Sequence, residues 1–229
     1  EIRLSLVGSE MCIRDSSVNN AGRLVAGEAV TVSAQNIDNA VTGEMAGTTI
    51  AITADSVNNA GKLGASEVLT VSAQSISNAA TGEIASAKTL AITAESVTNA
   101  GRLVAGEAAT VSVIDINNAA TGEIAGAMTA ITSTHSLTNR GLIDGSETLL
   151  QAGTLDNIGT GRIYGDHLGI AAEVLTNDTE TINGVRSDAV IAARERLDLG
   201  VGTFDNRNDA LLFSAGTGAD ALNLSLIHI

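Results

Sequence analysis

An aliphatic residue, any residue, an Asn, then a Gly and another aliphatic residue: this motif returns about every nineteen to twenty-one positions along the chain. Asn20, Asn39, Asn59, Asn78, Asn99, Asn118, Asn139, Asn157 and Asn177 mark its beat. A fixed period of that length is the signature of a solenoid, in which each repeat buries its apolar side only against the next. The repeats take two alternating forms. SVNNAGRLVAGEAVTVSAQ (residues 17–35) is the first; NIDNAVTGEMAGTTIAITAD (residues 36–55) is the second, with two more residues between Asn and Gly.

VTVSA (residues 30–34) and IAITA (residues 50–54) alternate apolar and polar, the period of a half-buried strand. That alternation, the Thr and Val content and the recurring Gly all disfavour helix. Counting from each Asn gives the expected core. Two residues before it stand Ile37, Val57, Ile76, Val97, Ile116, Leu137, Leu155 and Leu175. Seven before stand Val32, Ile52, Val71, Ile92, Val111, Leu150 and Ile170. Two after the Gly stand Leu24, Met45, Leu63, Ile84, Leu103, Ile124, Ile143 and Ile163. Three inward stacks imply three short sheets around one core. The expected fold is all-β: a right-handed parallel β-helix of about ten coils, a rod of roughly 50 Å at about 4.8 Å per coil.

The recurring Asn reads as an inward-turned ladder at a corner, its amide bonding the same side chain one coil away. The Gly that follows permits either a positive φ or a close approach of coils. Between each Gly and its aliphatic partner stand Arg23, Glu44, Lys62, Glu83, Arg102, Glu123, Leu142 and Arg162. Opposite charges thus alternate up one face, where neighbouring pairs contribute about 0.2–1 kcal/mol and like charges would cost as much. The column reads as register control rather than ligand binding.

Two irregularities interrupt the pattern. Across residues 127–139 the inward slots fall on Ala130, Thr132 and Thr134, with Ile131 out of phase, and a β-bulge would restore the aliphatic contact. Later, Asn177 is followed by its counterpart Asn206 only after an insertion within residues 178–196, best accommodated by an outward loop or hairpin near residues 181–195.

The termini carry a different text. Residues 5–16 read SLVGSEMCIRDS and the last six read LSLIHI. The DNA string CTGTCTCTTATACACATC, a transposon end used in short-read library preparation, translates to LSLIHI. Its reverse complement with the adjoining adapter arm translates to LVGSEMCIRDS. Residues 1–16 and 224–229 are therefore expected to be translated adapter, leaving residues 17–223 as an internal repeat region of a longer protein. Cys12 and His228 fall in these segments, so the repeat region has no Cys. That suits a secreted rod that crosses membranes unfolded.

The chain has a net charge of −14 at pH 7, which disfavours nucleic acid and anionic lipid as partners. Its apolar residues are small, with only Tyr164, Phe204 and Phe213 as aromatics, as a thin rod of stacked coils permits. No stretch of eighteen apolar residues is present, so no helical membrane span is expected.

No catalytic, cofactor-binding or metal-binding residue is expected. There is no Gly-x-Ser-x-Gly elbow, phosphate loop, Cys pair or His-x-x-x-His. His135 and His167 occupy slots filled elsewhere by Asp, Glu, Thr or Lys and read as surface residues. A carbohydrate-active β-helix enzyme, lyase or hydrolase, is the alternative; it requires carboxylates gathered in one groove, whereas here they are spread one per coil.

The cadence Asn-x-Gly-x-Leu-x-Ala-x-x-x-x-Thr-Val-Ser-Ala, and the segment VIAARERLDLGVGTFDNRNDALLFSAG (residues 190–216), resemble the filamentous haemagglutinin repeats of two-partner secretion exoproteins and their contact-dependent inhibition relatives. The resemblance implies the shaft of a secreted, surface-exposed adhesin or toxin-presenting filament. It also implies an outer-membrane two-partner-secretion transporter during export, and a receptor on a host or neighbouring bacterium, with the inserted loop as the expected point of contact.

Overall fold

The computed structural model describes residues 7–226, and they wind into a parallel β-solenoid of about ten turns. His228 lies outside the described residues. Early coils run as single long strands, Arg23–Asn39, Glu44–Asn59 and Lys62–Asn78. Later coils break in two, as in Glu83–Ser86 with Thr89–Asn99 and Arg102–Ala105 with Ala108–Asn118. Each coil pairs in parallel with the next, in the register that superposes the motifs: Asn20, Asn39, Asn59 and Asn78 stand directly over one another.

All three expected stacks are buried, with Ile37, Val57, Met45, Leu63 and Val71 at 0 % exposure. A further column also points inward, nine residues before the regular Asn: Val30, Ile50, Leu69, Leu90, Ala109, Thr148, Leu168 and Leu197. Thr129 joins it beside Thr148, and both hydroxyls are satisfied. Thr129 Oγ1 donates to the Asp144 carbonyl at 2.7 Å, and Thr148 Oγ1 donates to the Tyr164 carbonyl at 2.7 Å. A buried hydroxyl without a partner would cost about 1–3 kcal/mol, so these two bonds are what allow Thr in an aliphatic stack.

The irregular coil contains the expected bulge. Ile131 pairs with Val111 and Leu150 and is buried, so it lies in phase with its stack. The extra residue is absorbed between Ser133 and Ser136. Ser133 turns inward in the slot of Ala94 and Val113, and its Oγ, with one proton to donate, lies 2.6 Å from the Ile114 carbonyl oxygen and 2.8 Å from that of Ser136.

The insertion is a hairpin, tighter and earlier than expected. Thr179 to Ile182 pair antiparallel with Val185 to Asp188. Its two-residue turn, Asn183–Gly184, has φ of 51° and 79°, the doubly positive conformation that matches the strand twist of a hairpin. Residues from Ala189 onward are already back in the coil, with Ala189 and Ile191 buried and Ile191 paired to Ile163.

The described parts of the terminal segments lie in the outer strands Val7–Asn20 and Leu222–Leu226 on the coil ends. Met11 and Ile13 pair with Val30 and Val32 and pack partly on the core, while Leu222 and Leu224 pair with Leu197 and Leu199 and stay half exposed. An open parallel edge accepts any strand that alternates suitably, whatever its origin.

Candidate functional surfaces

The corner Asn residues build the interior spine. From Asn20 to Asn206 each Nδ2 donates to the Oδ1 of the Asn one coil on, at 2.7–2.9 Å. The same Nδ2 faces a main-chain carbonyl of that next coil, for example Glu83 O from Asn59 at 3.2 Å. From Asn39 to Asn177 these side chains are at most 2 % exposed. No described buried side-chain polar atom lacks a hydrogen bond. A fully satisfied amide ladder can sit inside a core without the penalty of an orphaned polar group.

From Gly43 to Gly161 the recurring Gly resolves to close approach, while a Cβ on Gly22 would meet nothing within 4 Å. None of the eight has a positive φ. A Cβ on Gly61 would lie 2.2 Å from the Gly43 carbonyl oxygen, and one on Gly101 would lie 2.1 Å from that of Gly82. Above them the longer repeat forms a turn that closes through Gly43 N to Ala40 O at 2.7 Å, and its Thr42 hydroxyl donates to the Ala21 carbonyl at 2.8 Å. Thr81 and Thr121 repeat that stitch. Long and short repeats therefore interlock as protrusion and notch.

On the outer surface the charge column is in register but unevenly paired. Arg23 meets Glu44 at 2.7 Å, and Arg102 meets both Glu83 (2.7 Å) and Glu123 (2.9 Å). Lys62, though placed between Glu44 and Glu83, forms no ion pair with either. Hydrogen bonding to Glu123 raises the Arg102 pKa above its ordinary value.

The face built from the long strands differs in kind. Its outward residues, from Thr31 and Ser33 to Ala130 and Thr132, are uncharged on six successive coils. Val68, Met128 and Leu149 stand exposed on the same face.

The hairpin is braced against the coils beside it. Arg140 makes a bidentate contact with Glu180 at 2.8 and 3.0 Å, joining chain positions two coils apart, and both side chains are about 30 % exposed or less. This hydrogen bonding holds the Glu180 carboxyl below its ordinary pKa. Arg162 Nη1 donates to the Asp188 carbonyl at 2.8 Å, and Asn208 Nδ2 donates to Asp178 at 2.6 Å. Only the tip is free, presenting Ile182 and Val185 at 54 % and 68 % exposure. The sequence located the insertion but not this bracing, because Arg140 and Glu180 are forty residues apart.

The histidines lie on the surface, as their slots implied. His135 Nδ1 is 2.7 Å from Asp115, and His167 Nε2 is 3.0 Å from Glu195. Asp115 accepts first from Ser136 and then from His135, which lowers its pKa. Among the described residues no three His, Cys, Asp or Glu side chains gather as a metal site. One groove is floored by Ala152, Gly153, Ala172 and Gly202 and carries Glu173 as its one acid. Asp144 and Asp166 are bridged by Arg194 at 2.9 and 3.2 Å, as Glu83 and Glu123 are by Arg102.

A family model described as the haemagglutinin repeat matches residues 3–80, 46–101, 69–141 and 142–201. No curated protein and no solved structure matches the chain.

Proposed function

The chain belongs to the haemagglutinin repeat family, and on that premise we propose that it is the internal shaft of a filamentous adhesin or contact-dependent inhibition exoprotein. Repeats of this family are typically non-enzymatic adhesin repeats, and membership implies in general an exoprotein, secreted or held at the cell surface. The observation that carries the reading is the unbroken Asn ladder, which continues even across the 29-residue interval from Asn177 to Asn206. A molecule that diverts its insertion into a side hairpin rather than interrupt the spine is organised to keep length and straightness.

In this reading an outer-membrane transporter passes the unfolded chain, and coils form as it emerges. The missing Cys in the repeats and the nearest-neighbour contacts of a solenoid both suit that order. The braced hairpin, with Ile182 and Val185 at its tip, is the best-placed receptor contact on the shaft.

A carbohydrate-active enzyme on this fold needs a pair of acids across a cleft. The groove floored by Ala152 and Gly202 supplies only Glu173, and the Asp144–Asp166 pair is bridged by Arg194, so the shaft is the better supported reading.

The genomic sequence on both sides, with adapters trimmed, tests it. The shaft reading expects a long gene with a secretion domain upstream and a barrel transporter gene beside it. A short open reading frame closing soon after residue 223, with no transporter nearby, would overturn it.

A further inference from the structure

The uncharged face has a period of its own. Reading up its middle column, the outward residues are Thr31, Ala51, Thr70, Ala91, Thr110 and Ala130, large and small in strict alternation. In the next column, two residues on, Ser and Thr alternate in the opposite phase from Ser33 to Thr132. The face is therefore a field of ridges and hollows that repeats every second coil.

Charge is distributed to match. The chain carries −14, yet no charged side chain points outward in these columns on six coils. Charges gather elsewhere, on the column from Arg23 to Glu123 and on Glu28, Glu67, Lys88 and Glu107, and at the far edge of this face Asp55 and Glu95 stand two residues beyond the second column. A solvent-facing sheet normally carries Lys or Glu to keep other sheets away. Here that protection is absent from both columns on six successive coils.

We propose that this face packs against the same face of a second copy of the chain, the two rods antiparallel. A two-fold axis between the coils of Thr70 and Ala91 sets Thr70 over Ala91, Ala51 over Thr110, and Thr31 over Ala130. Every ridge then meets a hollow, and all six coils overlap. A parallel pair related by a two-fold axis would instead set Thr over Thr and Ala over Ala. Stacked sheets with mixed side chains lie about 10 Å apart, and side chains as small as these let the two faces approach more closely than that.

The size of the contact fixes its strength. Six coils at about 4.8 Å and six residues at about 3.3 Å give a face of roughly 580 Å². A standard interface buries about 800 Å² per partner, so the pair belongs among the weak, reversible contacts. Two chains of −14 also repel, and added salt shortens the Debye length from about 10 Å at 0.1 M to about 3 Å at 1 M. Pairing therefore strengthens as salt is raised, the opposite of an ion-paired interface.

Sedimentation equilibrium of the full 229-residue chain tests this against the double variant Thr70→Lys, Thr110→Lys. Both positions are surface-facing, and circular dichroism melting checks that the variant keeps its fold. The wild type is expected to move from monomer toward dimer with concentration, more so at high salt. The variant is expected to associate at least about tenfold more weakly, since each lysine would lie over an alanine of the partner, too bulky for the hollow and with no carboxylate opposite to pair its charge. Mixing Thr31→Cys and Ala130→Cys chains, each with Cys12→Ser, with a short bis-maleimide reads the orientation: cross-linking between the two variants is expected, and none within either alone. A wild type that stays monomeric at high salt would overturn the proposal. So would a lysine variant that associates as well as the wild type, because that would place the contact at the strand ends.

Discussion

Two ladders run up this molecule, and they obey different rules. The Asn ladder lies inside and has no missing rung from Asn20 to Asn206, although the spacing between rungs ranges from 18 to 29 residues. The charged column lies outside and fails freely: Lys62 pairs with neither neighbour, and Leu142 interrupts it altogether. The difference is the cost of a mistake. A buried amide without its partner loses about 1–3 kcal/mol per orphaned group, whereas an exposed ion pair contributes at most about 1 kcal/mol and often nothing. Burial makes the Asn spine obligatory, and exposure makes the charge column a preference.

Breaking the spine gives the largest expected effect. Asn99→Ala removes the acceptor for Asn78 and the donor for Asn118 and leaves a small void. A loss of about 3–4 kcal/mol is expected in chemical denaturation. Loss below 1 kcal/mol would mean that the ladder is incidental. Next comes Gly101→Ala, whose Cβ would press on the Gly82 and Ala79 carbonyl oxygens at 2.1 and 2.3 Å. Backbone cannot yield as a side-chain tip does, so about 2–3 kcal/mol is expected.

The hairpin brace lies between the two ladders in burial and is expected to lie between them in effect. Arg140→Ala should cost about 1 kcal/mol, read as faster amide exchange at residues 179–188 with the coils unchanged. Because Arg140 depresses the Glu180 pKa, the brace is fully present above the ordinary carboxylate value of 4.5 and is lost as pH falls through the depressed folded value. Acid should loosen the wild-type hairpin more than the Arg140→Ala hairpin; equal acid sensitivity would remove the brace from the account. The smallest effect belongs to the charge column. Arg102→Ala should cost under about 1 kcal/mol and less in high salt, and Lys62→Ala should cost about nothing. A Lys62 effect as large as that of Arg102 would show that register, not contact, carries the energy.

Much of this was legible in the sequence because a solenoid repeats its constraints. The three aliphatic stacks, the inward Asn and the out-of-phase Ile131 could each be counted from the nearest Asn. What escaped has a physical reason. The fourth inward column is broken by Ala109, Thr129 and Thr148, and only the carbonyl partners of the two threonines make their burial intelligible. The Gly role stayed open between a positive φ and close approach, since only the contact with the next coil decides it. The hairpin was placed too far along because the coil resumes with Ala189, not Gly, in the corner slot. Its brace depends on side chains that sequence distance hides. The uncharged face was in plain view, but its alternation acquires meaning only when coils are stacked in register.

The central claim is that coils stack singly, in register, on the Asn spine. Pulsed electron spin resonance measures it, with one label at position 38 and a second at 117, 156 or 205, in chains carrying Cys12→Ser. These positions occupy the slot before the Asn on coils four, six and eight steps apart by the observed pairing. The account predicts distances of about 19, 29 and 38 Å, growing linearly at about 4.8 Å per coil even across the hairpin insertion. Distances that fail to grow with coil number, or a jump between positions 156 and 205, would contradict it.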